Sequence, residues 1–176
     1  MQKIGVLGAG TMGAGIAQAF AAAGLDVVLR DVSEALVNGG LKIVRKNLDR
    51  QVAKGTLPEF EHQAILGRIN GATDLAAVSD CDLIVEAIIE SMAIKKVVFG
   101  ELDAICQPST LFVSNTSSLS ITEIASATNR PDQVMGMHFF NPAPVMKLVE
   151  LIRGIATAQA TVDAVHAVAI QIGKQP

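Results

Sequence analysis

The segment Gly8-Ala-Gly10-Thr-Met-Gly13 constrains this chain more than any other stretch of it. A GxGxxG spacing alone is a weak signal, and its context decides its meaning. It follows a short β-branched run, Lys3–Leu7, and opens a stretch of small residues, Thr11 to Ala23, that Gly24 closes as a helix end. A second apolar run, Asp26–Leu29, then finishes at Arg30-Asp31. Strand, glycine turn, helix and strand in about 30 residues predict a βαβ unit. Gly8 permits the tight turn, Gly10 lets backbone amides approach a pyrophosphate, and Gly13 lets helix and strand pack closely. The free amides and the dipole of the helix start favour that anion, so the whole loop (Gly8, Ala9, Gly10, Thr11, Met12, Gly13) is a candidate phosphate cradle. Asp31 lies 18 residues past Gly13, where a carboxylate accepts hydrogen bonds from an adenosine ribose and repels a 2′-phosphate. The expected cofactor is NAD rather than NADP, with Arg30 turned to the other side of its strand by alternation. A helix rich in Gly and Ala merely for packing would explain the small residues but not the acid at this distance.

The alternation continues. Ile69–Ala72, Asp82–Ala87, Leu111–Ser114 and Val134–Met137 are short apolar runs, most of them separated by helix-like stretches, which predicts a parallel sheet covered on both faces. The fold class expected is α/β, a Rossmann-type doubly wound, mainly parallel sheet with a helical-hairpin insertion at about residues 33–67. In that insertion Ser33 to Lys54 has helical period, Gly55 and Pro58 break it, and Glu59–Leu66 forms a second helix. Leu41, Val44, Leu48 and Val52 fall on one face of the first helix, with Lys42, Lys46, Arg50 and Lys54 on the opposite one. That basic stripe is either a solvated helix face or a surface placed to meet a polyanion. A further apolar run, Val145–Ile152, and a helix over Thr161–Ile172 complete a single domain, residues 1–176.

Composition excludes several classes. Half of the residues are hydrophobic and 18% charged, so a chain this long builds its core without disulfide or metal staples. Cys81 and Cys106 belong to no CxxC or Cys/His cluster, no metal ligand set is expected, and a reducing compartment such as the cytoplasm fits. A net charge of −3 and the lack of Tyr and Trp argue against nucleic acid as a partner. Ile4 to Leu25 carries no charge, but six regularly spaced glycines argue against a membrane span, and Met1-Gln-Lys3 leads straight into a strand rather than a signal peptide.

Three histidines are acid–base candidates. His62 stands among acids on what reads as a solvated helix, and His166 in an Ala/Val helix reads as structural. His138 directly follows a strand, where open α/β sheets bind their ligands. Glu150 is the nearest downstream carboxylate and would orient the ring if the two meet. Asn115-Thr-Ser117-Ser118 follows another strand end, although Ser120-x-x-Glu123 is itself a capping box. Glu86 and Glu90 stand on the same rim, able to bind ribose or to cap the helix that carries Lys95.

GAGTMGAGIAQ (8–18), VEAIIE (85–90), SNTSSLSIT (114–122) and HFFNPAPVMKLVEL (138–151) together resemble the NAD-binding domain of L-3-hydroxyacyl-CoA dehydrogenases, bacterial 3-hydroxybutyryl-CoA dehydrogenases in particular. The resemblance spans the whole chain. It implies NAD-dependent, reversible oxidation of a short (S)-3-hydroxyacyl-CoA to the 3-ketoacyl-CoA. It makes His138 the general base, Glu150 its partner, and Ser117 a hydrogen-bond donor to the substrate oxygen. Asn141 would lie beside nicotinamide and substrate, and Glu90, Lys95, Asn115 and Ser117 would contact the cofactor. Coenzyme A would be held at Asn47, where the family often has Ser, and at Lys54, the last member of the basic stripe. The family also carries a second, helical domain beyond the point where this chain ends, and full-length members would pair as homodimers through it. Two other readings stay open: an NAD-binding half that does not catalyse alone, and a related dehydrogenase of a non-CoA hydroxy acid.

Overall fold

The computed structural model describes residues Met1–Pro176. Its seven strands form one sheet in the order β3-β2-β1-β4-β5-β6-β7. They are β1 Lys3–Leu7, β2 Asp26–Arg30, β3 Ile69–Ala72, β4 Leu83–Glu86, β5 Leu111–Ser114, β6 Val134–Phe139 and β7 Val149–Arg153. The first six run parallel; β7 alone is antiparallel, and pairs with β6. Chain order reverses direction between β1 and β4, so a crevice opens there beyond the strand ends.

The strands are apolar on both sides because helices cover both sides. On one face α1 (Thr11–Ala22), the insertion helices α2 (Glu34–Ala53) and α3 (Glu59–Gly67), and α6 (Gln159–Gln171) pack on Ile4, Val6, Leu83, Val85 and Met135 through Ile16, Phe20, Val44, Leu48, Ile65 and Val165. On the other, α4 (Met92–Ile105) and α5 (Ile121–Ala125) meet Leu7, Ile84 and Phe112 through Phe99, Leu102 and Ile124. Ser33 caps α2 through its hydroxyl, and Gly55, at φ +70°, ends the hairpin's first arm. The α2 wheel appears as expected: Val44 and Leu48 are buried, Lys42, Lys46, Arg50 and Lys54 exposed. No helix is long and apolar enough to cross a membrane.

Three expectations need correction. β6 extends to Phe139, so His138 lies inside a strand rather than after one. Only the second half of Val145–Ile152 is strand; Val145 ends a turn, Leu148 bridges Gln175, and α6 starts at Gln159. His62 is buried, not solvated, because Asp49 of α2 receives its Nε2 at 2.8 Å across the hairpin.

Candidate functional site

Six parallel strands end on one edge of the sheet, and the residues that follow them meet there. Gly8, at φ +95°, turns the chain out of β1 so tightly against the end of β4 that a Cβ would lie 2.4 Å from the Ala87 carbonyl oxygen. Gly13 is as constrained: its Cβ would fall 1.7 Å from the Gly8 carbonyl oxygen, so it serves the turn itself more than the strand. Gly10, by contrast, faces open space. It is the N-cap of α1, no side chain caps it, and no acid occupies the first turn. Free amides at a bare helix start beside an open surface suit a pyrophosphate.

Asp31 leaves β2 on the same edge. Its carboxylate accepts from the amides of Ala9 and Val32, each at 2.7 Å, which ties the second strand to the glycine turn. Each oxygen keeps a lone pair for a ribose hydroxyl. Arg30 turns away and donates to the Thr73 carbonyl, leaving the acid unopposed. Turn, helix start and carboxylate therefore fit NAD in shape and in charge.

Beyond β4 and β5 the crevice floor is ionic. Glu86 was expected on the rim, but it is fully buried in β4 between β1 and β5. It accepts from Lys95 Nζ at 2.6 Å, Ser114 Oγ at 2.6 Å and the Ile88 amide at 2.7 Å. Lys95 is 1% exposed and reaches Glu90 as well, at 3.2 Å, so it lies beneath the crevice surface rather than on it. Glu90 is half exposed and also accepts from the Thr116 hydroxyl. Burial pushes its carboxyl up, but the Thr116 hydroxyl, Lys95 and the Ser117 amide outweigh that and hold it below the usual carboxylate range. Thr116 Oγ1 also receives the amides of Ser118 and Leu119, shaping the turn that presents Ser117. Asn115 Oδ1 accepts from the Phe139 amide at 2.8 Å and acts as an extra rung between β5 and β6.

The His138–Glu150 pair comes from the sheet. Because β7 runs against β6, its beginning lies where β6 ends, and His138 is registered directly opposite Glu150. His138 Nδ1 is 2.8 Å from Glu150 Oε2. An ionised carboxylate only accepts, so Nδ1 is the donor in this contact and Nε2 is the ring nitrogen left to a ligand. Both side chains line a pocket of about 180 Å³ with Thr116, Ser117, Ser118, Leu119, Ile121 and Ile152. His166 is exposed on α6, and neither it nor His62 lines this pocket.

A second pocket of about 220 Å³ lies where α2 passes the turn after Asn141. Asn47, Arg50 and Lys54 line it with Gln18, Gln51, Pro142, Pro144 and Val145. Asn47 Nδ2 donates to the buried Gln18 Oε1 at 3.1 Å. Asn141 is exposed just before these prolines. The structure thus puts Asn47 and Lys54 in one pocket together with Arg50 of the basic stripe, whereas Gln18, Ser114 and Thr116 had not been singled out as supports. Of these three supports only Ser114, a hydroxyl at the end of a buried strand, carried a local signal.

The family pattern described as 3-hydroxyacyl-CoA dehydrogenase, NAD binding domain, matches residues 3–176. A 3-hydroxybutyryl-CoA dehydrogenase of Clostridioides difficile is 47% identical over 174 residues, 99% of this chain and 62% of that protein. A probable 3-hydroxybutyryl-CoA dehydrogenase of Bacillus subtilis is 49% identical over 99% of this chain and 61% of its own length. The crystal structure of (S)-3-hydroxybutyryl-CoA dehydrogenase from Ralstonia eutropha superposes with a TM-score of 0.98 at 45% identity, covering 100% of this chain and 62% of that one. The chain spans about three-fifths of the length of these relatives.

Proposed function

Because the chain belongs to the 3-hydroxyacyl-CoA dehydrogenase family, as its NAD-binding domain, we propose that it forms the catalytic half of an enzyme that reversibly oxidises a short (S)-3-hydroxyacyl-CoA to the 3-ketoacyl-CoA. The observation that carries this reading is the His138–Glu150 pair at 2.8 Å, on the sheet edge that also bears the glycine turn.

When bound, NAD supplies the hydride-accepting nicotinamide carbon. His138 Nε2 takes the proton of the substrate 3-hydroxyl, and Glu150, already bonded to Nδ1, steadies the imidazolium that results. Ser117, which lines the same pocket, donates to the substrate oxygen, and Asn141, exposed two residues past the end of β6, lies beside nicotinamide and substrate. Glu90 and Asn115 face the cofactor, with Lys95 acting from below through Glu90. Arg50 and Lys54 meet the phosphates of coenzyme A, with Asn47 beside them. The free, buried cysteines suit a reducing compartment such as the cytoplasm.

The test is NADH oxidation with acetoacetyl-CoA, followed by cofactor fluorescence, for the parent and His138→Gln. The expected result is turnover by the parent and a loss of about 10²–10⁴-fold in the variant, with NADH affinity within about two-fold. Equal losses of turnover and NADH affinity would make His138 a structural residue. A second reading, a cofactor-holding half whose substrate cleft another domain completes, is favoured by exposed apolar side chains lining the two pockets, Val145 at 71% and Ile152 at 37% exposed. NADH binding without turnover would select it.

A further inference from the structure

Lys174 lies just past α6 and is almost wholly withdrawn from water, 6% exposed. None of the ion pairs includes it. Its ammonium instead donates to two backbone carbonyls, Ala143 O at 2.6 Å and Met146 O at 2.8 Å. An ammonium without a counter-charge is expensive to bury, and burial pushes its pKa below the ordinary lysine value. A leucine or methionine would fill the space without that penalty. What they would lack is two strong donors aimed at one turn.

That turn joins the proposed chemistry to the proposed pocket. It follows His138-Phe-Phe-Asn141, and Pro142 O receives the amides of Val145 and Met146 at 2.9 and 3.0 Å. With those amides turned inward, the carbonyls of Ala143 and Met146 are the ones that reach Lys174. From the opposite side the turn rests on α1 at Gly15, where a Cβ would come within 3.1 Å of Pro144 Cδ and 3.3 Å of the Ala143 Cβ. The backbone next to Lys174 is stitched down as well. Gln175 N donates to Lys147 O at 2.8 Å, and Val149 N donates to Gln175 O at 3.2 Å. Pro142, Pro144 and Val145 of the same turn form one wall of the 220 Å³ pocket that holds Arg50 and Lys54.

We propose that Lys174 is a positioning residue for the dehydrogenase reaction: its buried ammonium latches the Pro142–Met146 turn, and so fixes Asn141 and the proline wall of the acyl-CoA pocket. The role in turnover rests on the reaction assigned above. The latch itself does not, and the experiment separates the two.

Lys174→Met keeps the aliphatic stem and removes charge and donors; Lys174→Arg restores both. Amide hydrogen exchange and steady-state NADH oxidation with acetoacetyl-CoA are measured on each. In Lys174→Met, exchange at Val145 and Met146 should rise about ten-fold or more, with the β1 and β4 amides unchanged. The KM for acetoacetyl-CoA should rise about five-fold or more, with a smaller fall in kcat and NADH affinity within about two-fold. Lys174→Arg should recover most of both effects. A residue of purely structural value would lower stability and NADH affinity together and show no such split, and that result overturns the proposal. So does a turn whose exchange is unchanged, or a loosened turn with an unaltered KM. Should Lys174→Met fail to fold, Lys174→Gln, with a shorter, neutral NH₂ donor group, is read by the same two criteria. A parent chain that binds NADH without oxidising it selects the cofactor-holding half and withdraws the effect on turnover, while exchange alone still decides the latch.

Discussion

Removing the cation from the crevice floor offers a sharp test of how this site is built. Lys95 and Glu86 are 1% and 0% exposed, with Nζ and Oε1 2.6 Å apart. In Lys95→Met the Glu86 carboxylate would keep only Ser114 Oγ and the Ile88 amide and would have no counter-charge beside it. Breaking a buried pair from one side costs about 3–5 kcal/mol, a large part of a total of about 5–15. With a urea dependence of about 2 kcal/mol per M, the unfolding midpoint should fall by about 1.5–2.5 M. Circular dichroism is the assay, since the chain has no Trp or Tyr to report by fluorescence. The second half of the experiment is Glu86→Gln on top of Lys95→Met. The glutamine Oε1 still accepts from the Ile88 amide, its NH₂ faces the Ser114 hydroxyl, which can rotate to accept, and no net charge stays buried. The double variant should regain most of the lost midpoint, to within about 1 M of the parent. A Lys95→Met midpoint within about 0.5 M of the parent, or a double variant no better than the single, refutes the reasoning.

Three further outcomes follow from the same geometry. Gly13→Ala places a methyl 1.7 Å from the Gly8 carbonyl, so the glycine turn must open; NADH affinity by fluorescence titration should fall about 100-fold or more. Lys54→Ala should raise the KM for acetoacetyl-CoA about three- to ten-fold at low salt and flatten its dependence on ionic strength, and an unchanged salt slope would favour a substrate without phosphates. Burial pushes the Cys81 and Cys106 thiols up to about 12 and about 11, so both should resist a disulfide reagent at pH 8 until urea unfolds the chain. Because those folded values lie above the ordinary 9.0, the unfolded chain releases these protons first. The thiols' contribution to stability is full below pH 9 and is lost as pH rises through about 12, which an alkaline series of urea midpoints would show.

What could be read in advance was what local chemistry writes into the chain. The glycine turn and Asp31 are legible because backbone curvature and an anion's needs leave few residue choices at fixed spacing. The strands are legible because a sheet covered on both faces has unbroken apolar runs. The Ser120 cap was equally local, and its hydroxyl does accept from the Glu123 amide. The errors came where a distant partner decided the outcome. Glu86 looked like a rim acid because nothing nearby in sequence announces that Lys95 folds back over it. His62 looked solvated because its partner, Asp49, sits on another helix. The run from Val145 to Ile152 looked continuous because hydrophobicity does not mark where a turn gives way to a strand, and only pairing with β6 does. Lys174 carried no signal at all, since its partners are carbonyls, which every residue has.

The antiparallel β7 has a consequence for how such a fold can diversify. His138 and Glu150 face each other through ladder register, so their relation is guaranteed by the hydrogen bonds of two strands and not by the course of the chain between them. The residues from Phe140 to Leu148, which border the proposed substrate pocket, are outside that ladder. Insertions or replacements there can reshape the pocket without disturbing the His138–Glu150 pair. A one-residue deletion inside either strand, by contrast, would turn His138 or Glu150 to the wrong face and abolish the pair at once. Selection therefore has two separate handles on this protein: a loop in which substrate preference can drift, and a ladder in which almost nothing can.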